Sequence, residues 1–359
     1  MIQSCDVGSL PFPREKKALL IGNNRILPSN SNGFSKHFEK TIIDAFIDKI
    51  KAGISLPAFP QFRDMNRMFL SVFGGIERIK DGYIETEGLS LKSGIERLAE
   101  VAIIAHNVKK IYARVEKPFE LRICITGPYT LGSFFPYRNS QTYERLGQVL
   151  SKIVEKNIFK AKKAKVAMVA IDEPLFGLFD DPLLDQGVED REQLLGAWEA
   201  IASKARSKNV YASIHLHCTS NDLFWRIKSL KIIESHVDDS LYELKTTRQK
   251  LEENDKILKA SITIADFDTL IRRKLGGPDI SSEIVADVWK EILNGTRNPE
   301  IFVEETDIMK KRLTKIVEQF GQERVTLAGP ECGLRGFPNY TTAIECLRRV
   351  AQAVEAFNA

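Results

Sequence analysis

Asn209-Val-Tyr-Ala-Ser-Ile-His-Leu-His-Cys-Thr-Ser-Asn-Asp222 is a short run of β-forming residues that ends in a polar turn. Its first half predicts a buried strand. Side chains two apart on a strand share a face, so His215 and His217 are expected to point the same way. Cys218 should turn elsewhere unless the strand has already ended. Later apolar runs add Glu234 and His236, then Cys332 in Ala328-Gly-Pro-Glu-Cys-Gly-Leu-Arg-Gly336. Imidazole, thiolate and carboxylate are the donors zinc accepts, and a catalytic site needs three or four of them with a position left for substrate. An isolated His-x-His at a strand end is more often hydrogen-bonded structure than a metal site, and a single buried cysteine is usually an inert small hydrophobe. The rest of the chain decides between these readings.

Eight short apolar runs, each leading into a polar or glycine-containing turn, punctuate the sequence at residues 2–7, 54–59, 121–126, 166–171, 210–215, 231–236, 258–264 and 324–329. Helical spacing of apolar residues lies between most of them, at about 93–114, 143–164, 190–207 and 341–357, with Asp190 placed to cap its helix. Lys160-Ala-Lys-Lys-Ala-Lys165 reads as the solvated face of a helix. Strands alternating with helices predict parallel β/α units, and eight of them predict an α/β fold of the (β/α)8 barrel class in a single domain. Two longer insertions, about 66–92 and 272–301, are expected to extend over one face, as loops that carry function often do.

Composition narrows the function classes. Of 359 residues, 43% are hydrophobic, enough for a large core, and 52 basic side chains nearly balance 48 acidic ones for a net charge of +4. No basic stripe with interleaved aromatics occurs, which argues against a nucleic-acid partner. No run of about 18 apolar residues and no leader-like N-terminus is present, so a soluble, cytoplasmic protein is expected. Five cysteines at irregular spacing argue against a disulfide framework.

In a barrel of this class the active site lies at the C-terminal ends of the strands, built from several at once. The polar residues at those ends are Asp6, Gly8 and Ser9, Gly127-Pro-Tyr-Thr130, Asp172-Glu-Pro174, His215, His217 and Cys218, Glu234 and His236, Asp266 and Asp268, and Glu331 and Cys332. Ligands scattered in sequence would there converge in space.

These segments resemble a known family. Gly8-Ser-Leu-Pro, Arg63-Asp-Met-Asn, Gly127-Pro-Tyr-Thr-Leu, Ile171-Asp-Glu-Pro, Ile214-His-Leu-His-Cys, Ile233-Glu and Pro330-Glu-Cys-Gly-Leu-Arg are similar, in the same order, to the catalytic half of cobalamin-independent methionine synthase. The resemblance spans nearly the whole chain. With no folate-associated barrel ahead of it, it points to the short, single-barrel members. It implies a (β/α)8 barrel and a zinc ion held by a His-x-Cys pair, a Glu on the next strand and the Cys of a Pro-Asp-Cys-Gly motif. Glu234 and Cys332 take the last two positions. The family's Ile-His-Thr-His-x-Cys is matched here with one residue missing, which makes His217 and Cys218 the first pair and keeps His215 as the alternate. The resemblance then leaves His236 as a neighbour of the metal.

The same resemblance assigns Gly8 and Ser9 to an amino-acid carboxylate and Asp172 to its ammonium. Gln61 lies near a family Glu that also touches the amino group. Gly127 and Pro128 suit a tight turn equally well, and Asp172 with Glu173 could simply cap the turn that follows. Asp266-Phe-Asp268 falls where the family has Asp-x-His, so Asp268 replaces the histidine associated with methyl transfer. The resemblance implies a zinc-dependent methyltransferase acting on a thiol, homocysteine foremost. The donor would be methylcobalamin, a methyl-corrinoid protein or methyltetrahydrofolate. Two rivals are a corrinoid-dependent methyltransferase acting on another thiol, and a catalytically altered relative that binds a metal or a partner.

Overall fold

Alternating β-branched and small residues make the apolar runs into strands, and the computed structural model describes them within residues 1–13, 36–94 and 97–359. Among the described residues the strands are β1 (Gln3–Ser4), β2 (Phe73–Ile79), β3 (Gly82–Leu91), β4 (Phe119–Thr126), β5 (Lys160–Ala161), β6 (Ala164–Glu173), β7 (Tyr211–Leu216), β8 (Ile232–Glu234), β9 (Ile257–Thr263) and β10 (Val325–Pro330). Two compact units can be distinguished: residues 1–62 with 259–359, and residues 63–258.

In the second unit β4, β6, β7 and β8 pair in parallel, and β8 goes on to pair with Ile257 and Leu258 at the start of β9. The register sets Thr126 beside Asp172, Asp172 beside His215, and His215 beside Glu234. Four polar residues thus form one row at the C-terminal ends of otherwise buried apolar strands. Helices Ser140–Asn157 and Glu189–Ser207 bury Leu146, Leu150, Ile153, Leu194, Trp198 and Ile201.

In the first unit β1 pairs in parallel with β10, and β10 is flanked on its other side by β9. Helix Tyr340–Asn358 buries Cys346, Leu347, Val350 and Val354 there. The run at 54–59 forms no ladder. It makes only the parallel bridge Cys5–Leu56, followed by Ser9–Gln61, because Pro57 and Pro60 have no N–H to donate. Asp6 supplies the missing order, its Oδ1 accepting from the Ala58 N–H at 2.7 Å.

Several local expectations are corrected. The helix expected to run to Ala164 stops at Asn157, whose Nδ2 donates to the Ile153 carbonyl and whose Oδ1 accepts from the Leu98 N–H. The lysine-rich stretch is instead the tight hairpin of β5 on β6, with Lys160, Lys162 and Lys165 exposed. Asp190 lies in the first turn of its helix, and Val188 is the cap residue. The pattern at 93–114 becomes two helices, Ala99–His106 and Val108–Val115, broken at Asn107; its residues 95 and 96 lie outside the described ones. Each insertion is structured. Residues 66–92 fall in helix Met65–Leu70 and the β2–β3 hairpin, and 272–301 contain helix Ser282–Leu293. Among the described residues no helix is long and apolar enough to cross a membrane.

Candidate functional site

In the second unit His215 is the penultimate residue of β7, and His217 follows just past its end. β8 ends at Glu234, and His236 follows two residues on. These strand ends bring three imidazoles together: the ring centroids of His217 and His236 are 4.1 Å apart, of His215 and His217 5.6 Å, and of His215 and His236 6.0 Å. Each offers a nitrogen within 4.8 Å of the others'. Burial pushes His217 down to about 4, so its ring is neutral at pH 7, as a metal ligand must be.

Glu234 stands in a different relation to the cluster. Its carboxylate is gripped by Arg122 from β4 in a two-pronged pair, Nη2–Oε1 2.7 Å and Nη1–Oε2 3.1 Å, with neither side chain exposed. Ser213 Oγ adds a bond to Oε1 at 3.2 Å, and Oε2 lies 3.8 Å from His215 Nδ1. Neither Glu234 nor Cys218 joins the imidazole group. Cys218 is half-buried in the turn after β7, its carbonyl 2.8 Å from where a Cβ on Gly177 would lie. Arg122 was not singled out in the sequence. A cation in the middle of Leu-Arg-Ile-Cys-Ile was the available signal, since a charge inside a buried strand requires a partner.

Asp172 closes the same row, buried near the end of β6, and its carbonyl accepts from the Gly127 N–H at 2.9 Å. Glu173 beside it is structural. Its carboxylate accepts from the Tyr129 and Thr130 N–H groups, from Thr130 Oγ1 and from Trp198 Nε1, at 2.7–2.9 Å. Burial raises the pKa of Glu173, and these four bonds pull the other way. Gly127 is required by that carboxylate, because a Cβ would lie 2.2 Å from Glu173 Oε1.

In the first unit the Gly8 segment is fixed from below. Lys49, fully buried, donates to Asp6 Oδ2 at 2.6 Å, to the Gly8 carbonyl at 3.0 Å and to the Ala58 carbonyl at 3.1 Å. Gly8 has φ 121°, a conformation that favours glycine. Its carbonyl also accepts from the Gln61 N–H, and the Leu10 N–H donates to the Gln61 carbonyl. The turn after β10 packs on Ser9. The Leu334 N–H donates to the Ser9 carbonyl at 2.9 Å, and a Cβ on Gly333 would lie 1.9 Å from Ser9 Oγ. Gly8, Ser9, Gln61 and the half-buried Cys332 therefore share one neighbourhood. Asp266 and Asp268 lie apart from it in role: Asp266 Oδ1 caps helix Phe267–Leu275 through the Thr269 N–H, and Asp268 Oδ1 accepts from Trp289 Nε1 at 2.7 Å.

Among solved structures the chain is similar to a B12-independent methionine synthase from Shewanella sp. W3-18-1, solved in complex with selenomethionine. The match covers 99% of this chain and 98% of that one at 13% identity, with a TM-score of 0.60. It is similar over the same shares of both chains to a putative vitamin-B12 independent methionine synthase from Listeria monocytogenes, at 12% identity and a TM-score of 0.62. At these identities the likeness establishes the fold, α/β of the (β/α)8 barrel class. No protein-family model and no curated protein matches the chain.

Proposed function

We propose that this chain is a metal-dependent methyltransferase that methylates a thiol, with homocysteine as the acceptor. The observation that carries the reading is the convergence of His215, His217 and His236 at the ends of β7 and β8. Neutral imidazoles suit a borderline divalent cation such as zinc. Such a cation supplies Lewis acidity that lowers a thiol's pKa.

The remaining roles belong to the chain's own side chains. Asp172 takes the acceptor's ammonium, and Gly127 sets the turn beside it. The acceptor sulfur, once deprotonated, forms the new S–CH3 bond as the bond from methyl to its donor breaks, the leaving group keeping the electron pair. Holding the sulfur in line with the donor is the contribution of orientation. Asp266 and Asp268 are committed to a helix cap and to Trp289, so the reading takes no proton from them. With Asp268 in that role we favour methylcobalamin or a methyl-corrinoid protein as donor over methyltetrahydrofolate.

The test is a methyl-transfer assay on zinc-loaded and chelator-treated protein with homocysteine and each donor in turn. Methionine formed only by the loaded protein supports the reading. No product with any of these donors, from protein shown to carry metal, overturns it. Asp172→Asn separates acceptors: it should raise KM for homocysteine severalfold or more. An unchanged KM would point to a thiol that is not an amino acid.

A further inference from the structure

The carboxylate expected among the metal ligands is already engaged. Glu234 and Arg122 are both fully buried and doubly bonded, and Ser213 adds a third hydrogen bond. Turning Glu234 toward a cation would strand the guanidinium without a counter-ion in the strand layer, a strongly destabilising arrangement. Two residues further along, where the backbone has left β8, His236 is drawn up against His217.

We propose that His236 supplies the metal donor in place of Glu234, giving a three-imidazole site with His215 and His217, while Arg122 and Glu234 are positioning residues behind it. This rests on the metal-dependent reading above and specifies its ligand set. The 3.8 Å approach of Glu234 Oε2 to His215 Nδ1 lets the carboxylate orient that ring without binding the cation. The consequence is electrostatic. Arg122 cancels the charge of Glu234, and three neutral rings add none. A bound cation therefore keeps more of its positive charge than it would with a carboxylate ligand, and acts as a stronger Lewis acid toward an incoming thiol. Imidazole-rich sets also admit cobalt, nickel and copper readily, so the site should accept cobalt(II) as a reporter.

The experiment is a cobalt(II) titration of the metal-free full-length chain, followed by visible absorption and by bound metal after dialysis. It compares wild type, His236→Ala, Glu234→Gln and the paired variant Arg122→Met with Glu234→Leu. The paired variant removes both charges together, so it guards against misfolding of the single one. Expected is one cobalt per wild-type chain, affinity reduced by more than about 1,000-fold in His236→Ala, and by no more than about 100-fold in the other two, the upper end of the range for groups that only orient ligands. Loss of binding in Glu234→Gln and in the paired variant, with His236→Ala binding normally, would overturn the ligand set and leave the metal-dependent function standing. A wild type that binds neither cobalt nor zinc would overturn both.

Discussion

Arg122 and Glu234 put two full charges inside the strand layer, and their value lies in being together. Removing one partner should be far worse than removing both. Arg122→Ala is expected to lower the unfolding free energy by about 3–5 kcal/mol in urea titrations, and Arg122→Met with Glu234→Leu by much less. Gly127 presents a steric counterpart. A methyl group there would meet the Glu173 carboxylate, which already accepts four hydrogen bonds, so Gly127→Ala should lose about 1–3 kcal/mol by overpacking. The sequence marked Gly127 as a turn or a substrate contact and left the two readings open. Only the position of Glu173 explains why no other residue would do. His236 shows the same limit. Its identity was legible, but the pairing of Glu234 with Arg122, more than a hundred residues earlier in the chain, was not.

The elements carry their own predictions. Helix Phe267–Leu275 begins on Asp266, whose side chain accepts from the Thr269 N–H. Asp266→Ala should therefore cost about 1 kcal/mol as a lost cap. Asp268→Asn keeps an oxygen for Trp289 and should be nearly neutral for stability. Strand β9 is introduced by Lys256, buried with its ammonium donating to the Ile227 and Leu230 carbonyls at 2.6 and 3.0 Å. Burial pushes its pKa down to about 8, with Lys231 adding to the shift and Glu199 and Asp255 opposing it. Between about pH 8 and the ordinary lysine value of 10.5, the unfolded chain holds a proton that the folded chain has released. Stability should consequently rise with pH across that window and be lower below it. Lys256→Met should show no such rise in its urea midpoint. Seven of the eight apolar runs are strands, legible because Val, Ile and Leu in short blocks have few other uses. The eighth failed as a ladder for a reason also in plain view, the prolines at 57 and 60. The helix ends were less legible, since Asn157 stops its helix through a bond to the Leu98 N–H, which no local pattern announces.

For the molecule as a whole, a metal that binds only the folded chain must stabilise it. At a free concentration about 100 times Kd the gain is about 2.7 kcal/mol. Zinc should therefore raise the thermal midpoint of wild type, a chelator should reverse the rise, and His217→Ala should show neither effect. The sequence by itself determined the fold class, the order of the strands and the set of residues at their ends. Those depend on periodicity, on turn-forming residues and on the rule that barrel loops gather at one end. It also supplied every candidate donor. What only the tertiary structure decided was how those residues are spent: Glu234 on Arg122, Glu173 on Thr130 and Trp198, Asp268 on Trp289, and the three imidazoles on one another. The physical reason is that a buried polar group must find its partner in space, and the partners of these three carboxylates lie 21 to 112 residues away.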